Sequence, residues 1–263
     1  MRFASAPPPD FLPRDFAPAA PLRRWASGCA DIDAVLGGGF AYGRLHEFYA
    51  AEAVDVAAAA GFVGAVASGL SPGTAVLWVR SERAARVGGV VQANGLNELS
   101  VAGHGLVSVV PDSLALLRTA LEALRCAALG AVIVEGWGTM RELDLTASRR
   151  LALAAAKSGV SLLMLRVEAE PVPSSAQTRW RVAAAPSRAL PGNAPGRPCF
   201  EIELLRQRSG PFGLGWQVEW DRDRGKFREA SSESFGGALS GAVVSVPAGG
   251  AVAGTGRAGA RVA

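Results

Sequence analysis

The sequence predicts an α/β fold: a doubly wound, mainly parallel sheet with late antiparallel strands, carrying a flexible N-terminal arm and C-terminal tail. Three observations carry this expectation. Through residues 45–167, short strand patterns alternate with helical ones, the order that builds βαβ units. The runs Ala131–Val134 and Leu162–Leu165 are apolar without alternation, as in parallel strands covered on both faces. After Val167 the pattern changes to alternating runs separated by Pro/Ser-rich loops, which reads as antiparallel strands extending the sheet.

The elements follow in order. Gly37, Gly38 and Gly39 supply the positive-φ turn that ends a short helix and feeds the first sheet strand. That strand, residues 45–50, alternates Leu45, Glu47 and Tyr49 against His46 and Phe48. Helical stretches are expected over 53–69, 82–94, 113–127 and 142–157, and strands over 75–80, 106–110, 131–135 and 161–167. In the third helix Ser113 is the expected N-cap, with Asp112 just before it. Leu114, Leu117, Ala120, Leu121 and Leu124 form its 3.6-period apolar stripe. Loops over 168–175 and 186–198 bracket a strand at 179–185, and further strands are expected at 200–206 and 216–220. The division is a Pro-rich arm over 1–24, one domain over 25–229, and a disordered Gly/Ala-rich tail over 230–263.

With 263 residues and 49% hydrophobic content, the chain can bury one sizeable core. Its start is Pro-rich and charged, without the apolar run of about 7–15 residues that export needs. Residues 56–70 are Ala/Gly-rich and shorter than a membrane span, so no membrane partner is expected. Cys29, Cys126 and Cys199 are odd in number and widely spaced, which suits thiols in a reducing cytoplasm. With only His46 and His104 beside them, no metal-ligand spacing appears. The net charge of +4 comes almost entirely through arginine.

The junction between the first strand and the following helix is where a phosphate-binding loop would stand. Such a loop reads G-x-x-x-x-G-K-[ST], its backbone N–H groups cradling phosphates and its lysine neutralising them. Here the eight residues are Ala50-Ala51-Glu52-Ala53-Val54-Asp55-Val56-Ala57. Ala50 and Asp55 replace the glycines, Val56 the lysine and Ala57 the magnesium-binding hydroxyl. The chain's only lysines are Lys157 and Lys226. Asp55 would add a like-charge contact costing about 4 kcal/mol at 4 Å and an effective dielectric near 20. No cofactor and no enzymatic activity are expected from this loop.

The frame around it resembles the RecA-like superfamily. The residues that carry the resemblance are Trp25-Ala26-Ser27-Gly28, Asp31 to Gly39, and Gly43-Arg44-Leu45. Ala75 to Glu82 is similar to the superfamily's second core strand with its following acid, and Gly130 to Gly136 resembles its Walker B strand. The resemblance implies that Glu82 stands where active members keep the water-activating glutamate, and that Glu135 stands where an aspartate is usual. Val167 stands where a γ-phosphate-sensing glutamine is found. Within that superfamily the chain is similar to the ImuA family, from about Trp25 to Glu229. The most specific stretches are the Gly-rich lead-in with the altered loop, Ser175 to Arg181, and Glu203 to Gly210 running into Trp220-Asp221. The resemblance implies a role in a DNA-damage-inducible cassette, alongside an inactive Y-family polymerase relative (ImuB) and an error-prone polymerase.

Other residues carry two readings each. A carboxylate at the carboxyl end of a parallel strand sits where such folds place ligands, yet without a phosphate cradle Glu82 and Glu135 read as relic or structural acids. Arg179, Arg181, Arg206 and Arg208, two apart in strands, form either a basic surface for a DNA backbone or acidic partner, or an ordinary solvated face. Trp180 points away from its arginines, into the core. Phe11 and Phe16 in the arm either dock on a partner or a second copy, or fold back on their own domain.

The expected function is a non-catalytic RecA-like accessory protein of translesion synthesis, cytoplasmic and nucleoid-associated. Its expected partners are an ImuB-type protein and an error-prone polymerase, with single-stranded DNA and self-association as further candidates. The alternatives are a DNA-dependent ATPase with an unorthodox nucleotide site and a SulA-like cell-division inhibitor.

Overall fold

A computed structural model describes residues 22–99, 105–194 and 196–230. The expectations for the arm, with Phe11 and Phe16, and for the tail lie outside these residues.

A two-residue strand β1 (Arg24–Trp25) pairs with β2 (Phe40–Ala41), with helix α1 (Ala30–Val35) between them. Gly39 makes this pairing possible. Its φ is +109°, and a Cβ there would lie 2.0 Å from the Trp25 carbonyl oxygen. The main sheet begins at β3 (Leu45–Ala50), followed by a 3₁₀ turn (Ala53–Asp55) and helix α2 (Val56–Leu70). Then come β4 (Ala75–Ser81), α3 (Glu82–Val87), α4 (Ala93–Glu98), β5 (Gly105–Val110), α5 (Ser113–Ala123) and β6 (Leu129–Trp137). Helix α6 (Leu145–Ser158) leads to β7 (Ser161–Val167) and β8 (Thr178–Ala184). Three more strands finish the sheet: β9 (Cys199–Gln207), β10 (Leu214–Asp221) and β11 (Lys226–Glu229).

The sheet order is β11-β10-β9-β8-β3-β7-β6-β4-β5. Strands β8, β3, β7, β6, β4 and β5 run parallel, and β9, β10 and β11 alternate against them. The mainly parallel sheet with late antiparallel strands is therefore the architecture. One strand differs from expectation: β8 belongs to the parallel part, since it pairs in parallel with β3 and antiparallel only with β9. The long excursion of residues 168–177 gives the chain room to cross over.

Two cores form, one on each face. Helix α2 covers the first, where Phe48, Phe62, Trp180, Phe200 and Phe227 meet with Ile133 and Leu165. Phe62 stacks on Phe227 with ring centroids 4.8 Å apart. Close approach of α2 needs Gly69, where a Cβ would lie 2.1 Å from the Trp25 ring. The apolarity of α2 thus belongs to a core helix. Helices α5 and α6 cover the other face, with Leu116, Leu124 and Leu151 over Val132, Val134 and Met164.

Three local expectations are corrected. The helix expected over 82–94 is two short ones, because Gly88 and Gly89 interrupt it and Gly89 takes φ +75°. Asp112, not Ser113, caps α5, its carboxylate accepting from the Ala115 amide at 2.7 Å. Consequently the buried stripe of α5 is Leu116, Leu117, Ala120 and Leu124, while Leu114 is exposed. Strand β11 carries no sequence expectation at all; a four-residue edge strand offers too short an alternation to read.

Candidate functional site

In open α/β sheets, ligands bind beyond the carboxyl ends of the parallel strands. The structure brings the altered loop and both marked carboxylates to that end, whereas Arg179, the second residue of β8, pairs with Glu47 nearer the amino ends of the strands.

The loop after β3 is closed by its own side chain. The Ala51 amide donates to the Val182 carbonyl at 2.9 Å, which ties the loop to β8. Asp55 is buried where the 3₁₀ turn passes into α2. Its Oδ2 accepts from the Glu52 amide at 3.1 Å and its Oδ1 from the Ala184 amide at 2.8 Å. A helix N-terminus with free amides attracts phosphate; here a carboxylate supplies the negative charge and takes up the loop's N–H group. Val56 is buried and Ala57 exposed, and neither offers a cation or a hydroxyl.

Glu135 on β6 is 1% exposed and saturated with donors. Arg80 donates to it through Nε at 2.7 Å and Nη2 at 2.8 Å, Trp78 through Nε1 at 3.0 Å, and Trp137 through Nε1 at 3.2 Å. Arg80 also donates to the carbonyls of Ala84 at 3.1 Å and Gly89 at 2.6 Å, so the pair anchors α3 and the turn after it. A carboxylate that accepts four protein N–H groups has no lone pair directed at a water or metal. Glu82, by contrast, is exposed in the first turn of α3 and forms no ion pair among the described residues.

Arg179 is the main correction to the expected basic surface. Strand β8 is internal to the sheet, and residues 168–177 cover the face on which Arg179 lies. It is 8% exposed; its Nε donates to Glu47 at 2.9 Å, and its Nη2 donates to Ser174 Oγ at 2.9 Å and to the Val172 carbonyl. Arg181 is exposed but pairs across strands with Glu203 at 2.6 Å. Arg206 and Arg208 are exposed and make no ion pair among the described residues. The four arginines do not form one surface; the two on β9 and just beyond it remain available.

The Glu47–Arg179 pair belongs to a polar cluster that sequence reasoning missed. The guanidinium carbons of Arg166 and Arg179 each lie 5.9 Å from the centre of the Tyr49 ring. Arg166 is 4% exposed and donates to the Gly138 carbonyl at 3.3 Å. Tyr49 Oη and Arg166 Nε are buried without a partner. Burial, with the Glu47 charge acting the same way, raises the Tyr49 phenol, and burial lowers the Arg166 guanidinium. A cleft of ≈ 520 Å³ opens beside them, lined by Thr139, Asp144, Arg166, Glu168 and Glu170. The available signal was an arginine inside the otherwise apolar run Leu162–Val167, a residue type rarely buried without a reason. Among the described residues, no group of three His, Cys, Asp or Glu side chains is placed to hold a metal ion.

No protein-family model matches the chain, and no curated protein matches it. Among solved structures it is similar to a crystal structure of the RadB recombinase, at 17% identity and a TM-score of 0.53. The match covers 78% of this chain and 99% of that one. At that identity the likeness speaks to architecture: the mainly parallel nine-stranded sheet, with helices on both faces and its loop after β3, is a RecA-like fold.

Proposed function

We propose that this chain is a RecA-like protein without ATP catalysis, acting as an interaction partner in DNA-damage-induced mutagenic translesion synthesis. It works with an ImuB-type inactive polymerase relative and an error-prone polymerase. The observation that carries the non-catalytic half is the Asp55 carboxylate, which stands buried just before α2 and accepts from the amides of Glu52 and Ala184. The saturation of Glu135 by Arg80, Trp78 and Trp137 supports it further, because that carboxylate is not free for nucleotide chemistry. The pathway half is supported by the sequence resemblance to the ImuA family.

Two measurements test the reading separately. Phosphate release by the purified full chain, with and without single-stranded DNA, should stay at background, and ATP affinity should be no tighter than millimolar. Turnover that disappears in Glu82→Gln would replace the reading with a DNA-dependent ATPase. Co-purification with an ImuB-type protein should succeed in the absence of nucleotide. Its failure, together with filamentous cells on overexpression, would favour a cell-division inhibitor.

A further inference from the structure

The polar cluster on β3, β7 and β8 carries an uneven charge. Arg166 and Arg179 bring two guanidiniums to it, while its one carboxylate, Glu47, is bonded by Arg179 at 2.9 Å. Tyr49 does not supply the missing negative charge, because burial raises its phenol and keeps it neutral. A guanidinium holds its proton in proteins, so one positive charge stands in the interior without a carboxylate of its own. That charge is Arg166, which is 4% exposed. Of its nitrogens only Nη2 meets a protein acceptor, the Gly138 carbonyl at 3.3 Å. Nε is buried without a partner, and Nη1 has none among the described residues. A buried charge is costly unless it is paired and hydrogen-bonded, so this guanidinium has acceptor capacity to spare.

Arg166 is the penultimate residue of β7 and lines the cleft of ≈ 520 Å³. By strand alternation it lies on the α6 side of the sheet with Met164, whereas α2 packs on the side of Leu165. The cleft is therefore on the opposite face from the helix that follows the altered loop. Being buried, Arg166 forms its floor. Leu145, 56% exposed, and Val172, 43% exposed, give it apolar walls. Asp144, Glu168 and Glu170 are exposed and put carboxylates at its mouth. Of these, only Glu168 has an ion partner among the described residues, Arg83 at 3.0 Å. Glu168 is also the one non-glycine among the described residues with a positive φ, at +49°, a conformation that few such residues adopt.

A cation at the floor, apolar walls and carboxylates at the mouth select one kind of ligand. The mouth repels a polyanion, which argues against a nucleic-acid strand or a nucleoside triphosphate. The floor repels a metal cation. A carboxylate answers the floor, because a guanidinium can donate to it through charge-assisted bonds. A cation on the far end of the same molecule answers the mouth. The cleft's volume falls within the range of about 300–1,000 Å³ that small-molecule sites occupy. We propose that the cleft binds a small carboxylate with an apolar body and a cationic far end, its carboxylate on Arg166 and its cation between Glu168 and Glu170. The inference does not rest on the proposed function, since neither the altered loop nor Glu135 takes part.

The test uses the full chain and three probes: 6-aminohexanoate, hexanoate and hexylamine. Calorimetry should show saturable binding of 6-aminohexanoate at millimolar affinity or tighter, weaker binding of hexanoate, and none of hexylamine. Arg166→Met removes the charge while keeping the bulk of the stem, and should weaken 6-aminohexanoate by about tenfold or more. Glu170→Gln changes an exposed side chain, and should weaken 6-aminohexanoate by about two- to fivefold while leaving hexanoate no weaker. That second variant decides the matter if Arg166→Met fails to fold. Four outcomes overturn the inference: no binding of 6-aminohexanoate at millimolar concentration, unchanged binding in a folded Arg166→Met chain, equal affinity for 6-aminohexanoate and hexanoate, and displacement of 6-aminohexanoate by oligothymidylate. The third would leave the mouth without a role, and the fourth would give the cleft to nucleic acid.

Discussion

The carboxyl ends of β3 and β6 both place an acid where a RecA-like fold would handle nucleotide, and both acids are spoken for, by different chemistry. Asp55, in the turn after β3, is held by two backbone amides, from Glu52 and Ala184. Glu135, inside β6, is held by the side chains of Arg80, Trp78 and Trp137 and is neutralised by a guanidinium that is itself buried. Backbone donors would remain, and could meet water, if Asp55 were lost, because the loop is on the surface. The donors around Glu135 could not. The first acid closes a site; the second holds up a wall. Each can therefore be removed with a different expected consequence.

The largest effect belongs to Glu135. Glu135→Ala leaves the Arg80 guanidinium and two indole N–H groups buried without their acceptor, and breaking a buried pair from one side costs about 3–5 kcal/mol. Urea denaturation should show that loss. Replacing both partners, as in Arg80→Met with Glu135→Leu, should lose less than Glu135→Ala alone, because no charge is left stranded. A single variant as stable as the parent would mean that water reaches the pair and that β6 opens there.

His46 extends the contrast to a buried group satisfied in its neutral state. Its Nε2 donates to the Ala41 carbonyl at 3.0 Å, so its Nδ1, 2.7 Å from Thr178 Oγ1, accepts from that hydroxyl. The same Thr178 oxygen accepts from Trp180 Nε1 at 2.8 Å, so a second imidazole proton would have to take its remaining lone pair and turn the hydroxyl proton away from the ring. Burial, the dominant cause, lowers His46 from 6.5 to about 4. Because the folded state binds the proton more weakly than the unfolded one, His46 contributes fully above pH 6.5. That contribution is lost as pH falls from 6.5 toward 4, by up to about 3 kcal/mol. Denaturation midpoints at several pH values should decline across this window, and His46→Gln should flatten that part of the decline. An unchanged slope in the variant would assign the acid sensitivity to the carboxylates instead.

What the sequence made legible follows the same division between backbone pattern and side-chain geometry. The boundaries of β3 and β7 are read directly, because an alternating run between turns and an unbroken apolar run each have a single interpretation. Loss of the phosphate cradle is equally legible, since it depends on residue identity alone. Which arginines face solvent is not. That Arg179 and Arg181 share a side is a matter of strand period, but that the loop over 168–177 folds across Arg179 is a matter of tertiary packing. Similarly, Glu47, Tyr49 and Arg166 sit on two adjacent strands, and nothing in either strand alone shows that they meet. The parallel direction of β8 has the same origin, for strand direction depends on how the preceding loop crosses.

Asp55 should have a smaller effect than Glu135. Asp55→Ala removes a helix-start carboxylate and two accepted hydrogen bonds at the edge of solvent, a loss of about 1–2 kcal/mol. Asp55→Asn keeps a carbonyl oxygen for one of the amides and should lose less. Neither variant should gain ATP affinity by calorimetry, because Val56 and Ala57 still supply no cation and no hydroxyl. Micromolar ATP binding in Asp55→Ala would show that the carboxylate alone keeps the site shut, and the loop would then be a masked nucleotide site.

The smallest effect on stability, and the sharpest test of surface against interior, comes from Arg206 and Arg208. Both are exposed and make no ion pair among the described residues, so Arg206→Gln with Arg208→Gln should change stability by no more than about 0.5 kcal/mol. Arg179→Gln should behave as an interior change, because it leaves Glu47 buried without its guanidinium. If the chain grips nucleic acid through these exposed arginines, it does so through phosphates and without preference for sequence. Each phosphate contact releases about one counterion, so the double variant should make the log–log salt dependence of single-stranded DNA binding shallower by up to about 2 units. Arg181→Gln should change that slope less, since the Glu203 carboxylate already neutralises its guanidinium at 2.6 Å. Equal slopes for the parent and the Arg206/Arg208 variant at low salt would remove the end of β9 from any DNA surface. The two arginines would then be an ordinary solvated strand end, and the chain's contact with its partners would have to be sought on another face.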